Sequence, residues 1–364
     1  MTIAAPSARI DWIDTGRGLA ILLVALYHSA SWLLAAGFDI AYWREINDAL
    51  SSLRMPLFFA LAGLFAPKWI EAPWSRLWNV KLRLYVWVFL IWEVIGSVVF
   101  LLGVTMQGEG FSVRQSLLAL LISPVAPRFE LWFIWALALF FVLAKLIRRL
   151  DYRIQLTLAG LVSVLALSGW ETANVGWSGS AKYFVFFLAG VYLRPVILRL
   201  GSAPGRLLTL ASILVWAALS VTVAVLHLRG VPGLYFVNCV LGVIAGIGIS
   251  RALAGISRLG SIGRTTLPIY LAHTPIIILL SFVLSLAVLD PWLSPVAGIL
   301  PPLLAAAAVT LALVLHRLVT PTPARYLYEP VPGLLELGRR PARVRSGRRV
   351  RSRSAHHADT DGPS

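Results

Sequence analysis

Arg17 and His28 lie eleven positions apart in the first apolar stretch of the chain, Asp14-Thr-Gly-Arg17-Gly-Leu-Ala-Ile-Leu-Leu-Val-Ala-Leu-Tyr27-His28. Eleven steps of an α-helix turn through about 1,100° and rise about 16 Å, so both side chains share one face at different depths. Arginine holds anions through charge-assisted hydrogen bonds. Asp14, three residues earlier, is spaced to orient it across one turn. Histidine has the one side chain whose ordinary pKa suits taking and returning a proton near neutral pH. The alternative is a snorkelling arginine above a packing histidine. An ionisable group deep in an apolar helix is expensive in lipid, which makes a working role the default.

Other residues of the same kind recur along the chain. Glu93 sits in Leu90-Ile91-Trp92-Glu93-Val94, about ten residues beyond Lys81 and Arg83, and so near the middle of its apolar segment. It is placed to orient His28, to pair with another basic group, or to stay protonated. His273 lies some seven residues into its segment and approaches His28 if the first and ninth segments adjoin. Arg54 and Glu130 fall near the rim opposite Arg17, where they shape an entrance, together with Tyr27, or pair with each other.

The elements that must carry these residues are membrane helices. Of 364 residues 59% are hydrophobic and 13% charged, with a mean hydropathy of +0.81; a soluble domain carries about twice that charge. Ten apolar segments, at 18–36, 50–66, 83–102, 131–147, 154–169, 182–198, 207–227, 234–250, 267–288 and 296–316, approach the roughly 17–25 residues a spanning helix needs. With the N-terminus inside and the segments alternating, 26 of the 32 basic residues fall on the inside and 6 outside. One missed span would invert every later loop, so this asymmetry favours ten spans with both ends cytoplasmic. The fold class expected is an all-α polytopic bundle, with residues 1–320 embedded. Residues 321–364, arginine-rich, form a basic tail expected to be disordered and to lie on anionic headgroups.

Several classes are excluded. The net charge of +16 sits in short loops and the tail, which reads as topology and not as nucleic-acid binding. The single cysteine, Cys239, rules out an intrachain disulfide and a cysteine metal site, and no metal is expected. The run from Leu19 to Ala36 is longer than a signal-peptide core and is not expected to be cleaved. Gly242-Val-Ile-Ala-Gly246-Ile-Gly248 lies within an apolar helix, where small residues permit close packing and do not form a dinucleotide loop. Pro56 is read as lying early in its helix, where a missing N–H is harmless. There is no P-loop, zinc spacing or Gly-x-Ser-x-Gly elbow.

The pattern of an arginine, ten residues and a histidine in the first span resembles the opening of the acyltransferase-3 family of bacterial membrane acyltransferases. The resemblance continues in order at Arg54-Met-Pro-Leu-Phe-Phe-Ala-Leu-Ala-Gly63, Glu130-Leu-Trp-Phe-Ile134, Phe186-Phe-Leu-Ala-Gly190, and Ile262-Gly-Arg264 with Ile269-Tyr-Leu-Ala-His273. It covers roughly residues 9–318 and looks most like the inner-membrane members that lack an esterase-like domain. It implies transfer of an acyl group, often acetyl, from cytoplasmic acyl-CoA to a hydroxyl of an envelope glycan, lipid or small molecule. Arg17 would help to hold the coenzyme phosphates and His28 would be the base. Family members often carry two arginines three apart at the third span; this chain departs from that with a single cluster, Lys81-Leu-Arg83-Leu-Tyr85, in which Lys81 and Arg83 either still meet phosphate or serve as ordinary positive-inside anchors. The expected setting is the bacterial cytoplasmic membrane. The rival from another class is a proton-coupled transporter or lipid exporter using His28, Glu93 and His273 as a relay. The half-to-half similarity of such transporters is not seen.

Overall fold

Long apolar runs in lipid must bond their own backbone groups internally, so they fold as helices. A computed structural model describes residues 10–106, 112–202, 205–286 and 289–337; no strand occurs among them. Each of the ten expected segments holds one long helix. These are α1 Asp11–Ala35, α2 Trp43–Gly63, α3 Arg83–Met106, α4 Trp132–Ile147, α5 Tyr152–Leu167, α6 Val175–Tyr192, α7 Arg206–Val225, α8 Leu234–Ala252, α9 Thr266–Leu284 and α10 Leu300–Val319. Among the described residues six helices are individually long and apolar enough to cross a membrane, or seven when Val175–Tyr192 and the sharply bent Arg194–Ser202 count as one span. Three shorter apolar helices, α4 and α5 among them, fall below that length. The protein is an all-α polytopic membrane bundle.

Burial separates an inner set from a lipid-facing set. The spanning stretch of α9 is 61% buried and that of α8 56%, against 22% for α7. Helix α1 is central: it packs on α2, α8, α9, α10 and the short helix Ser257–Arg264. Close crossings depend on small residues. A Cβ on Gly63 of α2 would collide with the Phe187 carbonyl of α6, and one on Gly190 with the Ala60 carbonyl. The two Ala-Gly motifs thus make one crossing, in which α2 and α6 meet backbone to backbone. Gly242 of α8 fits against the Ser52 carbonyl of α2 in the same manner, as its setting in an apolar helix suggested.

Two expectations change. Helix α2 begins at Trp43, so Pro56 lies in its interior and not near its start. The first turns are polar and were invisible to a count of apolar residues. Pro56 has no N–H for the Ser52 carbonyl, and that carbonyl is the one that faces Gly242. The second change concerns the expected disordered tail. Residues 321–337 fold back along the Arg17 end of α3. The indoles of Trp78, Trp87 and Trp92 donate to the carbonyls of Leu335 (2.6 Å), Tyr326 (2.7 Å) and Leu327 (2.7 Å). Arg83 pairs with Glu336 at 2.6 Å, and Tyr328 is buried against Trp92 and His316. Four aromatic side chains and an ion pair hold a stretch whose composition alone reads as polar tail. Residues 338–364, with the eight arginines of 339–353, lie outside the described residues.

Candidate active site

Helix α1 carries Arg17 and His28 on one face, as the period required, and each side chain lines a different cavity. At the Arg17 end a cavity of about 400 Å³ is lined by Arg17, Lys68, Lys81, Trp69, Tyr85 and Thr266. Its deeper wall is apolar: Phe58, Phe133, Ile134, Leu137 and Phe141. No carboxylate lines it. Lys68 and Lys81 both stand over the Trp69 ring, 5.0 and 5.4 Å from its centroid. Arg17 donates to Thr266 Oγ1 at 3.1 Å.

At the opposite end lies a wider cavity of about 730 Å³. Tyr27, His28, Arg54, Glu130, Glu171, Lys182 and Tyr183 line it, with Trp32, Phe129 and Trp132. Lys182 meets Glu171 at 2.5 Å and holds that carboxyl below the usual carboxylate range. Asn174 caps α6 by accepting from the N–H groups of Gly176 and Trp177, which fixes the loop carrying Glu171 and Thr172. Glu130, in the turn just before α4, hydrogen-bonds Thr274, and burial pushes its carboxyl up to about 7.

Between the two is a neck of about 40 Å³ lined by Val24, His28, Met55, Phe58, Glu130, Trp132, Phe133 and Tyr270. Phe58, Phe133 and Tyr270 also line the cationic cavity. Val24, His28, Met55, Glu130 and Trp132 also line the wide one. The neck therefore shares walls with both. Tyr270 fixes its geometry, because its hydroxyl donates to the Glu130 carbonyl and accepts from the Ile134 N–H at 3.3 Å.

The imidazole of His28 is in T-shaped contact with His273, with centroids 5.2 Å apart, and with Tyr27 at 4.9 Å. Among the described residues no hydrogen bond holds either of its nitrogens. His273 is different. It is fully buried, and its Nδ1 faces the carbonyls of Ile269 at 3.0 Å and Tyr270 at 2.8 Å, so that nitrogen carries the proton. Its Nε2 lies 3.2 Å from Thr274 Oγ1, whose single proton it competes for with Glu130. With both nitrogens engaged and neither cavity reached, His273 backs the His28 ring and does not face a ligand.

Three further expectations take a different form. Asp14 is not bonded to Arg17 directly; its carboxylate stands 3.9 Å from Arg264, because the short helix Ser257–Arg264 lies on the first turns of α1. Arg83 turns away from the cavity to Glu336, while Lys81 faces in. Two residues apart on a helix are roughly 200° apart in direction, so these two cannot serve one pocket. Glu93 lines neither cavity, and both of its carboxylate oxygens are buried without a partner. It does not hold His28. Arg54 and Glu130 share the wide cavity without pairing: Arg54 stacks on the Tyr27 ring at 4.4 Å, and Glu130 bonds to Thr274.

Lys68, Trp69, Thr266 and Tyr270 were missed by the sequence reading. Lys68 sat in plain view as a loop cation, but nothing in its neighbourhood separates it from a topology anchor.

A family model described as an acyltransferase domain matches residues 10–315. The chain belongs to the acyltransferase-3 family. Comparisons with curated proteins and with solved structures return no match. The family match spans every helix from α1 to most of α10, so both cavities and the neck lie within it, and the chain is a membrane acyltransferase in the general sense.

Proposed function

We propose that the protein moves an acyl group, acetyl in the simplest case, from acyl-CoA to a hydroxyl of an envelope glycan, lipid or small molecule. The observation that carries this reading is the junction: His28 stands in a neck that shares walls with a cationic cavity and a wide polar one. The three cations beside an apolar wall suit a ligand with phosphates at one end and a flexible arm at the other. Arg17, Lys68 and Lys81 would hold the phosphates of the donor. Under the ten-span topology read from the sequence, 26 of the 32 basic residues fall on the side of Arg17, which fits the cytoplasmic side, where acyl-CoA is found, with both termini there. The setting is the bacterial cytoplasmic membrane.

The acceptor enters the wide cavity, and its hydroxyl comes within reach of His28. The hydroxyl oxygen attacks the thioester carbonyl carbon while its proton passes to the open imidazole nitrogen. The tetrahedral intermediate collapses, the carbon–sulfur bond breaks, and His28 returns the proton to the leaving sulfur. His273 positions the imidazole and keeps water from its far side. The transporter relay draws no support, since Glu93 lines neither cavity and His273 has both nitrogens engaged. The test is to label the acyl-CoA pool and follow label into envelope glycans, lipids and small molecules. His28→Ala should abolish incorporation; equal labelling by wild type and variant would remove His28 from the chemistry.

A further inference from the structure

Among the described residues, Arg54 is a charged side chain of the wide cavity that makes no ion pair and leaves a buried donor unused. The residue is 93% buried, since only 7% of it is exposed, and its Nη1 meets no hydrogen-bond acceptor. The other charged side chains lining the cavity have partners: Lys182 pairs with Glu171 at 2.5 Å, and Glu130 hydrogen-bonds Thr274. Arg229 is the nearby arginine across the cluster. It is bonded to Ser51 at 2.8 Å and to the Asp48 carbonyl at 3.0 Å, and its ion pair with Asp48 spans 3.2 Å. A buried guanidinium with an idle donor is costly unless an anion completes it. Its planar fork matches a carboxylate or a phosphate in two-pronged fashion.

The Tyr27 ring touches both Arg54 and the base: it lies 4.4 Å from the guanidinium carbon and 4.9 Å, centroid to centroid, from His28. An anion on Arg54 therefore sits close to the reacting centre, where a fixed group on the acceptor would lie beside the hydroxyl that reacts.

We propose that Arg54 is an anion-binding subsite of the wide cavity, and that the acceptor bears a carboxylate or phosphate ester close to the hydroxyl that is acylated. This rests on the reading of the wide cavity as the acceptor's. The Tyr27 face stacked under the guanidinium fixes its direction, and Tyr183 and Trp132 give the acceptor's body an apolar wall beside it.

The test uses the full chain in detergent. Its thermal midpoint is measured at fixed ionic strength with sodium glucuronate, glucose 6-phosphate, glucose and coenzyme A. Either or both sugar anions should raise the midpoint, and the larger shift tells carboxylate from phosphate; glucose should not. Arg54→Gln should lose that response and keep the one to coenzyme A. Arg54→Lys, which keeps the charge but not the fork, should need about tenfold more of the sugar anion. A glucose shift equal to that of its anions, a sugar-anion shift that survives in Arg54→Gln, or none in wild type would overturn the proposal. If Arg54→Gln fails to fold, Arg54→Lys decides alone, and an unchanged response in it would overturn the proposal equally. In membranes, the labelled transfer product should bind an anion exchanger at neutral pH; a neutral product would overturn the acceptor claim. Absence of any labelled product alongside an intact sugar-anion response would sink the transfer reading and leave the Arg54 subsite standing.

Discussion

The two cavities on either side of His28 differ in how their charge is arranged. The Arg17 cavity is smaller and of one sign, three cations with two of them over a single indole ring. The Arg54 cavity is nearly twice as large and mixed in sign, with one ion pair closed on itself and one guanidinium left open. A uniformly cationic site selects by charge number and is built for one polyanionic ligand. A mixed and aromatic site selects by the position of individual groups. Under the proposed function the chemistry lies where the two meet, with the donor held by charge on one side and the acceptor by individual groups on the other.

The largest effect should come from the junction. His28→Ala is expected to reduce transfer by about 10²–10⁴-fold, with donor affinity unchanged when measured by binding of coenzyme A. A variant that loses transfer and donor binding together would place His28 in the cationic cavity alone and break the division. Next come the cations. Arg17→Ala or Lys81→Ala should each raise the KM for acyl-CoA by roughly 10- to 100-fold, as expected for loss of one charge-assisted contact worth about 1.5–3 kcal/mol. Because salt screens a cationic cavity, raising it should weaken donor binding in the wild type more than in either variant. Equal salt slopes would show that the cations act elsewhere.

Tyr270→Phe should then lower stability by about 1–3 kcal/mol, since the Glu130 carbonyl and the Ile134 N–H both lose the same hydroxyl. Thermal unfolding in detergent reads this directly, and no change would mean that the neck is held by packing alone. The smallest effect on the comparison is expected at Arg83. Arg83→Ala breaks the ion pair with Glu336 and should loosen the 321–337 segment to proteolysis. It should leave the donor KM within about twofold, in contrast to Lys81→Ala two residues away, because the two side chains face opposite ways. A donor KM that rises as much as for Lys81→Ala would put Arg83 back into the cavity.

The parts of the site that follow one helix were legible in the sequence. Arg17 and His28 share a face because eleven residues nearly complete three turns, and that arithmetic survives folding. The Ala62-Gly63 and Ala189-Gly190 motifs could be seen as small-residue pairs, though not that they meet each other. What required a second element could not be read. Asp14 has the right spacing for Arg17, but a neighbouring helix presents Arg264 to it. Lys68 enters the cavity from the four-residue helix Pro67–Ile70, too short to show a period in the sequence. Pro56 was misplaced because helix and apolar segment are different things: α2 runs seven residues beyond the apolar stretch, through Trp43–Ala49. The order of residues 321–337 comes from indole donors on α3 and just before it that find carbonyls more than 200 positions away. Composition carries no trace of such a pairing.

The central claim is that donor and acceptor reach His28 from opposite ends. Sidedness measures it most directly. The protein is reconstituted in proteoliposomes sorted by orientation, an acceptor-containing envelope extract is sealed on one side, and labelled acetyl-CoA is added to the other. Label should enter the acceptor only when acetyl-CoA is on the Arg17 side, and His28→Ala vesicles should stay unlabelled. Transfer of equal rate from either side, or only from the Arg54 side, would contradict the assignment of the two cavities.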